Sequence, residues 1–255
     1  MKKILSLGFT LIALLMLSEA IGQTEAELYQ QGLKYKKQIN NKKMLPVFKK
    51  LVEIDSTNVD YLSNLSFAYS KVGANLTDPK LQLKFYAKAK SIASKAKKIN
   101  NNHAFAHYSY ALALARENEN AGSKEKIANA KEIKAECDKV IALDPNEAGA
   151  YHVMGRWHRT FAGFSGFEKA MVNTFFGGTP EGGSYKDALE MFQTAIKIEP
   201  WYMLHTYELA MTYHEMGNDE YAIKFLKKAM ELPQKYEDAV KCFKNCQTML
   251  AKLEK

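Results

Sequence analysis

Tyr151-His152-Val153-Met154-Gly155-Arg156-Trp157-His158, followed by Ala188-Leu189-Glu190-Met191-Phe192-Gln193-Thr194-Ala195 and then Pro200, is the stretch that decides the fold. In the first segment an aromatic, an apolar and a small residue recur on one helical face. In the second, small, large and small residues follow at spacings of four and three. Such spacing marks two amphipathic helices. Pro200 ends the second, because proline cannot continue the hydrogen-bond ladder. The product is a helix-turn-helix unit whose apolar faces need neighbouring units to cover them.

The register extends both ways. Thr206, Leu209, Ala210 and Tyr213, then Ala222, Leu226 and Ala229, make a following unit around the Met216-Gly217-Asn218 turn. His107, Tyr110, Ala111 and Leu114 open a preceding one, which closes in Ala142-Leu143-Asp144-Pro145. Leu62, Leu65, Ser66 and Tyr69 open one before that, and Leu28, Gly32 and Tyr35 open the first. These are tetratricopeptide spacings. The predicted fold is all-α, a tetratricopeptide-like right-handed superhelix of about five helix-turn-helix units plus a C-terminal capping helix.

The expected units are residues 25–58, 59–103, 104–147, 148–202 and 203–236, within a solenoid domain of residues 23–255. Residues 237–255 form the cap, with Val240, Phe243, Met249 and Leu253 placed to cover the last unit; an end repeat otherwise exposes an apolar face. Gly155, Ala111 and Ala210 are small so that paired helices can approach closely. Units two and three exceed the usual repeat length of about 34 residues by roughly ten, and unit four by roughly twenty. The spacing predicts that both helices of units two and three gain about a turn and a half, with Asp78-Pro79 starting a long second helix in unit two and Ser123 with Lys124-Glu125-Lys126 starting one in unit three.

The first 22 residues read as a signal peptide. Lys2 and Lys3 precede an apolar run from Ile4 to Leu17, and Ala20-Ile21-Gly22 supplies small residues for cleavage before Gln23. The run is shorter than the roughly 20 residues of a spanning helix; an uncleaved anchor is the alternative. The mature protein is expected to be exported, periplasmic or extracellular, soluble, and without a transmembrane segment. The 255-residue chain is 47% hydrophobic and carries a net charge of +8. Its lysines fall in helical patterns that read as solvated faces, and no basic-aromatic motif points to nucleic acid. Cys137, Cys242 and Cys246 are an odd set and read as buried free thiols.

Between Arg156 and Gly183 lies an insert in which Phe164, Phe167, Met171 and Phe175 recur at helical spacing. With Trp157 they predict a short amphipathic helix lying over its own unit. Met154-Gly155-Arg156-Trp157, Phe175-Phe176-Gly177-Gly178-Thr179-Pro180, Tyr185-Lys186-Asp187-Ala188-Leu189 with Phe192, Leu232-Pro233 and Glu237-Asp238 resemble the regulator of microtubule dynamics proteins. The resemblance covers roughly residues 100–255 by motif and the remainder as a repeat pattern. It implies a tetratricopeptide-like domain with interaction functions, associated in eukaryotic members with microtubules and organelle membranes. The export signal departs from that picture, so fold and binding role carry over and the cellular role does not.

Inner-face positions of such an array select a partner groove of Phe67, Phe105, Tyr108, Arg116, His152, Arg156, Arg159, Tyr207, Met211 and His214, with Lys71 and Leu112 beside them. Guanidinium groups among aromatics suit a protein or peptide partner bearing an acidic group. The alternative is carriage of a lipid or other apolar small molecule, with residues 162–183 as a lid; in the other alternative Arg156 and Trp157 are structural, tying the insert to the array. The paired asparagines of a carboxylate clamp are absent: the corresponding positions are Asn64, Ser109, Val153 and Glu208. No cofactor or metal is expected, since His103 and His107 stand four apart without further ligands. The glycine-rich segment at 177–183 lacks the ending of a phosphate loop. No catalytic constellation remains, and the expectation is a binding protein rather than an enzyme.

Overall fold

A computed structural model describes residues 23–119, 121–175 and 183–255; the expected leader, the loop at 176–182 and the side chains of Phe167 and Phe175 lie outside the described residues. Twelve α-helices and no strand occur among them. They are α1 (Glu25–Lys37), α2 (Asn41–Ile54), α3 (Val59–Gly73), α4 (Pro79–Ile99), α5 (Ala104–Asn118), α6 (Ser123–Leu143), α7 (Ala148–Ala162), α8 (Gly166–Phe175), α9 (Tyr185–Ile198), α10 (Met203–Glu215), α11 (Asp219–Met230) and α12 (Glu237–Leu253). Consecutive helices pair as α1/α2, α3/α4, α5/α6, α7/α9 and α10/α11, and α12 packs on both α10 and α11. The architecture is a helical repeat superhelix.

Local chemistry sets the helix ends. Thr24 caps α1 in a reciprocal box with Glu27, and Asn40, Asn58 and Asn218 each accept a first-turn N–H with the side chain. Gly217 closes the α10–α11 turn at φ 78°, a left-handed conformation that a side chain would penalise. Within pairs, small residues face aromatic rings. A Cβ on Gly155 would lie 2.7 Å from Cε1 of Phe192, and one on Gly32 would lie 2.7 Å from Cε2 of Phe48. Both rings are completely buried, so neither can yield without opening the core.

The extra length of the second and third pairs is not shared between helices as the sequence suggests. The second helices take nearly all of it: α4 and α6 each have 21 residues, against 14 in α2 and 12 in α11. First helices differ little, with 15 residues in α3, α5 and α7 and 13 in α1 and α10. Asp78 accepts from the Lys80 N–H, and Pro79, lacking an N–H, occupies the first helical turn, so α4 starts as soon as the turn ends. Its buried side chains, Tyr86, Ala89, Ala93 and Ala96, fall in the remainder of the helix.

The two ends of the array meet. Lys71 on α3 pairs with Asp238 on α12, and both side chains are about nine-tenths buried. Asn75 donates to Asp238 Oδ1 at 3.1 Å and Tyr202 donates to Oδ2 at 3.2 Å. Lys42 on α2 reaches Glu237 at 2.9 Å. Ile39, in the α1–α2 turn, packs against the C-terminal apolar cluster that includes Met203 and Tyr236. It does so at φ 52°, where a β-branched residue is strained by about 1–3 kcal/mol.

Candidate functional site

The first helices supply the inner face. α1, α3, α5 and α7, with the residues opening α10, enclose a chamber of about 410 Å³. Of the groove residues expected from the sequence, Phe67, Phe105, Tyr108, Arg116 and His152 line it, with Lys71 and Leu112. The three rings form one cluster, with centroids 5.6 Å apart for Phe67–Phe105, 5.8 Å for Phe105–Tyr108 and 6.1 Å for Phe67–Tyr108. Gly149 makes room for it, since a Cβ there would lie 2.1 Å from the Tyr108 hydroxyl.

Lys36 of α1 already occupies this aromatic cluster. Its ammonium lies 3.3 Å from the centre of Phe105 and 5.6 Å from that of Phe67. Burial pushes the ammonium below its ordinary pKa, and Glu147, Asp60 and Glu199 pull the other way. Burial pushes the Glu147 carboxyl up, and Lys36 opposes that shift. Each charge partly offsets the desolvation of the other.

The arginines are wired to carboxylates across units. Glu119 Oε1 accepts from Arg116 at 3.0 Å and from Arg156 at 3.2 Å. Glu208 meets Arg156 Nε at 3.8 Å and Arg159 at 2.6 Å, and Arg159 also reaches Glu215 at 3.3 Å. A further Arg159 N–H donates to the Glu208 carbonyl at 3.0 Å. The result is a ladder of alternating sign running from α5 through α7 to α10. Arg156 is 40% exposed on it and Arg159 only 14%. Arg156 can exchange a partner; Arg159 is built into the join between α7 and α10.

A histidine pair closes the chamber wall. His152 and His205 face each other at 2.9 Å between Nδ1 atoms, and His205 Nε2 lies 3.4 Å from Glu199. The network assigns the protons: His205 donates from Nε2 to Glu199, so its Nδ1 accepts the Nδ1–H of His152. Burial lowers the pKa of both. The neighbouring charges of His205, Arg156, Arg116 and Lys71 lower His152 further, whereas Glu199 opposes the shift at His205.

A second chamber, about 360 Å³, opens between α5, α6 and α7. Ile127, Ile133, Val153, Trp157, Phe161 and Phe164 give it an apolar wall, with Arg116, Glu119 and Arg156 also lining it. Leu112, Arg116, His152 and Val153 line both chambers. Trp157 is 5% exposed and donates to the Ala130 carbonyl at 2.9 Å, which fixes its indole in the core between α6 and α7. Val172 of α8 is buried in the same cluster.

Tyr207, Met211 and His214 line neither chamber. Tyr207 packs in the cluster containing Cys242 and Cys246 of α12, and burial pushes its hydroxyl up to about 12. His214 bonds Asp219 at 2.6 Å beside the α10–α11 turn. Among the described residues no His, Cys, Asp and Glu group could hold a metal. His107 is bound instead by Glu136 at 2.5 Å and the Asn101 carbonyl at 3.0 Å. The three cysteines are free and buried. Sequence reasoning did not reach Lys36, Glu147, Glu199 and His205. Lys36 had a signal, as the twelfth residue of α1, one of the inner-face positions. Glu147 and Glu199 cap α7 and α9 and lie outside the repeat pattern.

Residues 26–254 match the family model described as "Regulator of microtubule dynamics protein 1-3". The chain is 32% identical over 147 residues to regulator of microtubule dynamics protein 1 of Bos taurus, covering 57% of this chain and 46% of that protein. It is 30% identical over 176 residues to protein 3 of Rattus norvegicus, covering 68% and 37%. The match thus spans less than half the length of these relatives. Among solved structures, a thermophilic TPR protein of Thermus thermophilus superposes with a TM-score of 0.63, over 88% of this chain and 100% of that one. At 13% identity, this likeness concerns the fold alone.

Proposed function

Because the chain belongs to the regulator of microtubule dynamics family, we propose that it is a non-catalytic scaffold that holds a protein or peptide partner on the inner face of its array. The observation that carries this reading is the ladder from Arg116 to Glu215 beside the Phe67–Phe105–Tyr108 cluster. An extended segment with a carboxylate can replace Glu119 at Arg156, because both side chains are about two-fifths exposed. Aromatic side chains nearby give rigid contact area. We also propose that residues 1–22 are removed and the mature chain acts beyond the cytoplasm, on the strength of the basic, apolar and small-residue order of the leader. N-terminal sequencing of the protein from its own cells tests this; a start other than Gln23 sinks that cleavage site.

Crosslinking and pull-down from the native envelope fraction tests the scaffold. Arg156→Ala is expected to lose partners that the parent captures while melting normally. Equal capture by the variant would sink the groove reading. A second reading, carriage of an apolar small molecule, is favoured by the apolar wall of the 360 Å³ chamber. Native mass spectrometry of the purified chain distinguishes it: a copurified lipid supports carriage, and bare protein throughout speaks against it.

A further inference from the structure

We propose that the outer face of α4 docks the protein on an anionic lipid bilayer. α4 carries seven lysines and no acidic residue, whereas the second helix of every other pair contains at least one carboxylate. Lys90 and Lys97 lean toward the third pair, where they meet Glu117 and Glu136. The other five, Lys80, Lys84, Lys88, Lys95 and Lys98, share an arc of roughly 80° at 3.6 residues per turn. All five are exposed and, among the described residues, none forms an ion pair. Two acids border the stripe: Asp78 caps α4 and accepts from the Lys80 N–H at 2.9 Å, and Asp55 at the end of α2 is held by Thr57 through two hydrogen bonds and influenced at longer range by Lys95.

The stripe runs about 27 Å along the helix at 1.5 Å per residue. α2 broadens it, since Lys49 and Lys88 approach the same Tyr69 ring, at 5.3 and 5.2 Å from its centre. Leu81 and Leu83 flank the lysine arc near the start of α4, 39% and 40% exposed. Three features favour a bilayer over an acidic protein. The cations are all lysines, point charges on flexible stems that suit a diffuse layer of headgroups better than a bidentate contact. They lie along one exposed helix face, and none of them lines either chamber. The exposed leucines stand where they can enter the headgroup–acyl boundary while the lysines stay in water.

The test is cosedimentation of the full chain with vesicles of phosphatidylcholine alone and of phosphatidylcholine mixed with phosphatidylglycerol. The parent is expected to bind the mixed vesicles preferentially and to be released by salt. Replacing Lys84, Lys88 and Lys95 by Gln together is expected to cut partitioning roughly a hundredfold, at about fivefold per lysine. The leader is common to both proteins, so it cannot create the difference. Leu81→Ser with Leu83→Ser is expected to weaken vesicle binding and leave binding to soluble polyglutamate unchanged. No preference for anionic vesicles, or retention by the lysine variant, overturns the proposal. Equal binding to polyglutamate and vesicles, indifferent to the leucines, overturns it in favour of an acidic protein partner.

Discussion

Lys71 on α3 and Asp238 on α12 form a buried ion pair that joins the second helix pair to the last helix. Burial alone would raise the Asp238 carboxyl, but Lys71, Asn75 and Tyr202 together hold it below its ordinary value. Removing one partner leaves the other charged and buried, at a cost of about 3–5 kcal/mol. Asp238→Asn is expected to lose stability in that range in urea unfolding. Lys71→Met with Asp238→Leu is expected to lose less than the sum of the single changes. Additive losses would show that the two side chains do not act as a pair. With a depressed folded pKa, this stabilisation is complete above the unfolded value of 3.8 and is lost as pH falls through the folded one.

The His152–His205 pair predicts a second acid sensitivity, which sets in at higher pH. Burial holds both folded pKa values below the ordinary histidine value of 6.5, so the unfolded chain takes up protons first. Stability is expected to be full above about pH 6.5 and to fall as pH drops below it. Melting temperatures between pH 8 and 5, on the order of the range where histidine titrates, check this. His152→Phe is expected to flatten the dependence. An unchanged slope in the variant would assign the sensitivity to other groups.

Gly155 faces Phe192 at van der Waals limits, so Gly155→Ala overpacks the α7–α9 join. The expected loss is about 1–3 kcal/mol. Denaturant midpoints measure it, and a gain in stability, as better helix propensity alone would give, contradicts the packing account.

Trp157→Ala is expected to cost about 3–5 kcal/mol, chiefly through the cavity it leaves, since the Ala130 carbonyl loses the indole N–H but keeps its place in the α6 ladder. Fluorescence supplies an independent check. Trp201 is 42% exposed and Trp157 is 5% exposed, so Trp201→Phe should leave a blue-shifted emission that acrylamide quenches poorly.

The repeat was legible in the sequence because its determinants are local. Gly155 meets Phe192 as Gly32 meets Phe48, each a small residue of a first helix against a ring of the second, so a pattern of small and large residues reveals the packing. The chamber aromatics Phe67, Phe105 and Tyr108 were legible for the same reason. What the pattern could not show is which charges meet across units. Arg156 and Arg159 were readable as inner-face cations, but Glu119 comes from the end of α5 and Glu208 from α10. A repeat register specifies each unit's neighbour and is silent about its ends, so the pairing of Lys71 with Asp238, far apart in sequence, left no trace in it. The long second helices starting at Pro79 and Ser123 were legible from their start signals, whereas the matching gain expected of the first helices is nearly absent, because insertion length does not reveal how two helices divide it.

Leu112, Arg116, His152 and Val153 form a wall common to both chambers. A common wall gives an occupant of one interior a route to the other. An occupant of one that draws Arg116 from Glu119, or turns the His152 ring, changes the free energy of filling the other. By linkage, the second occupant then returns the same factor to the first. Two ligands of different chemistry would report on each other through four side chains, without any movement of the superhelix.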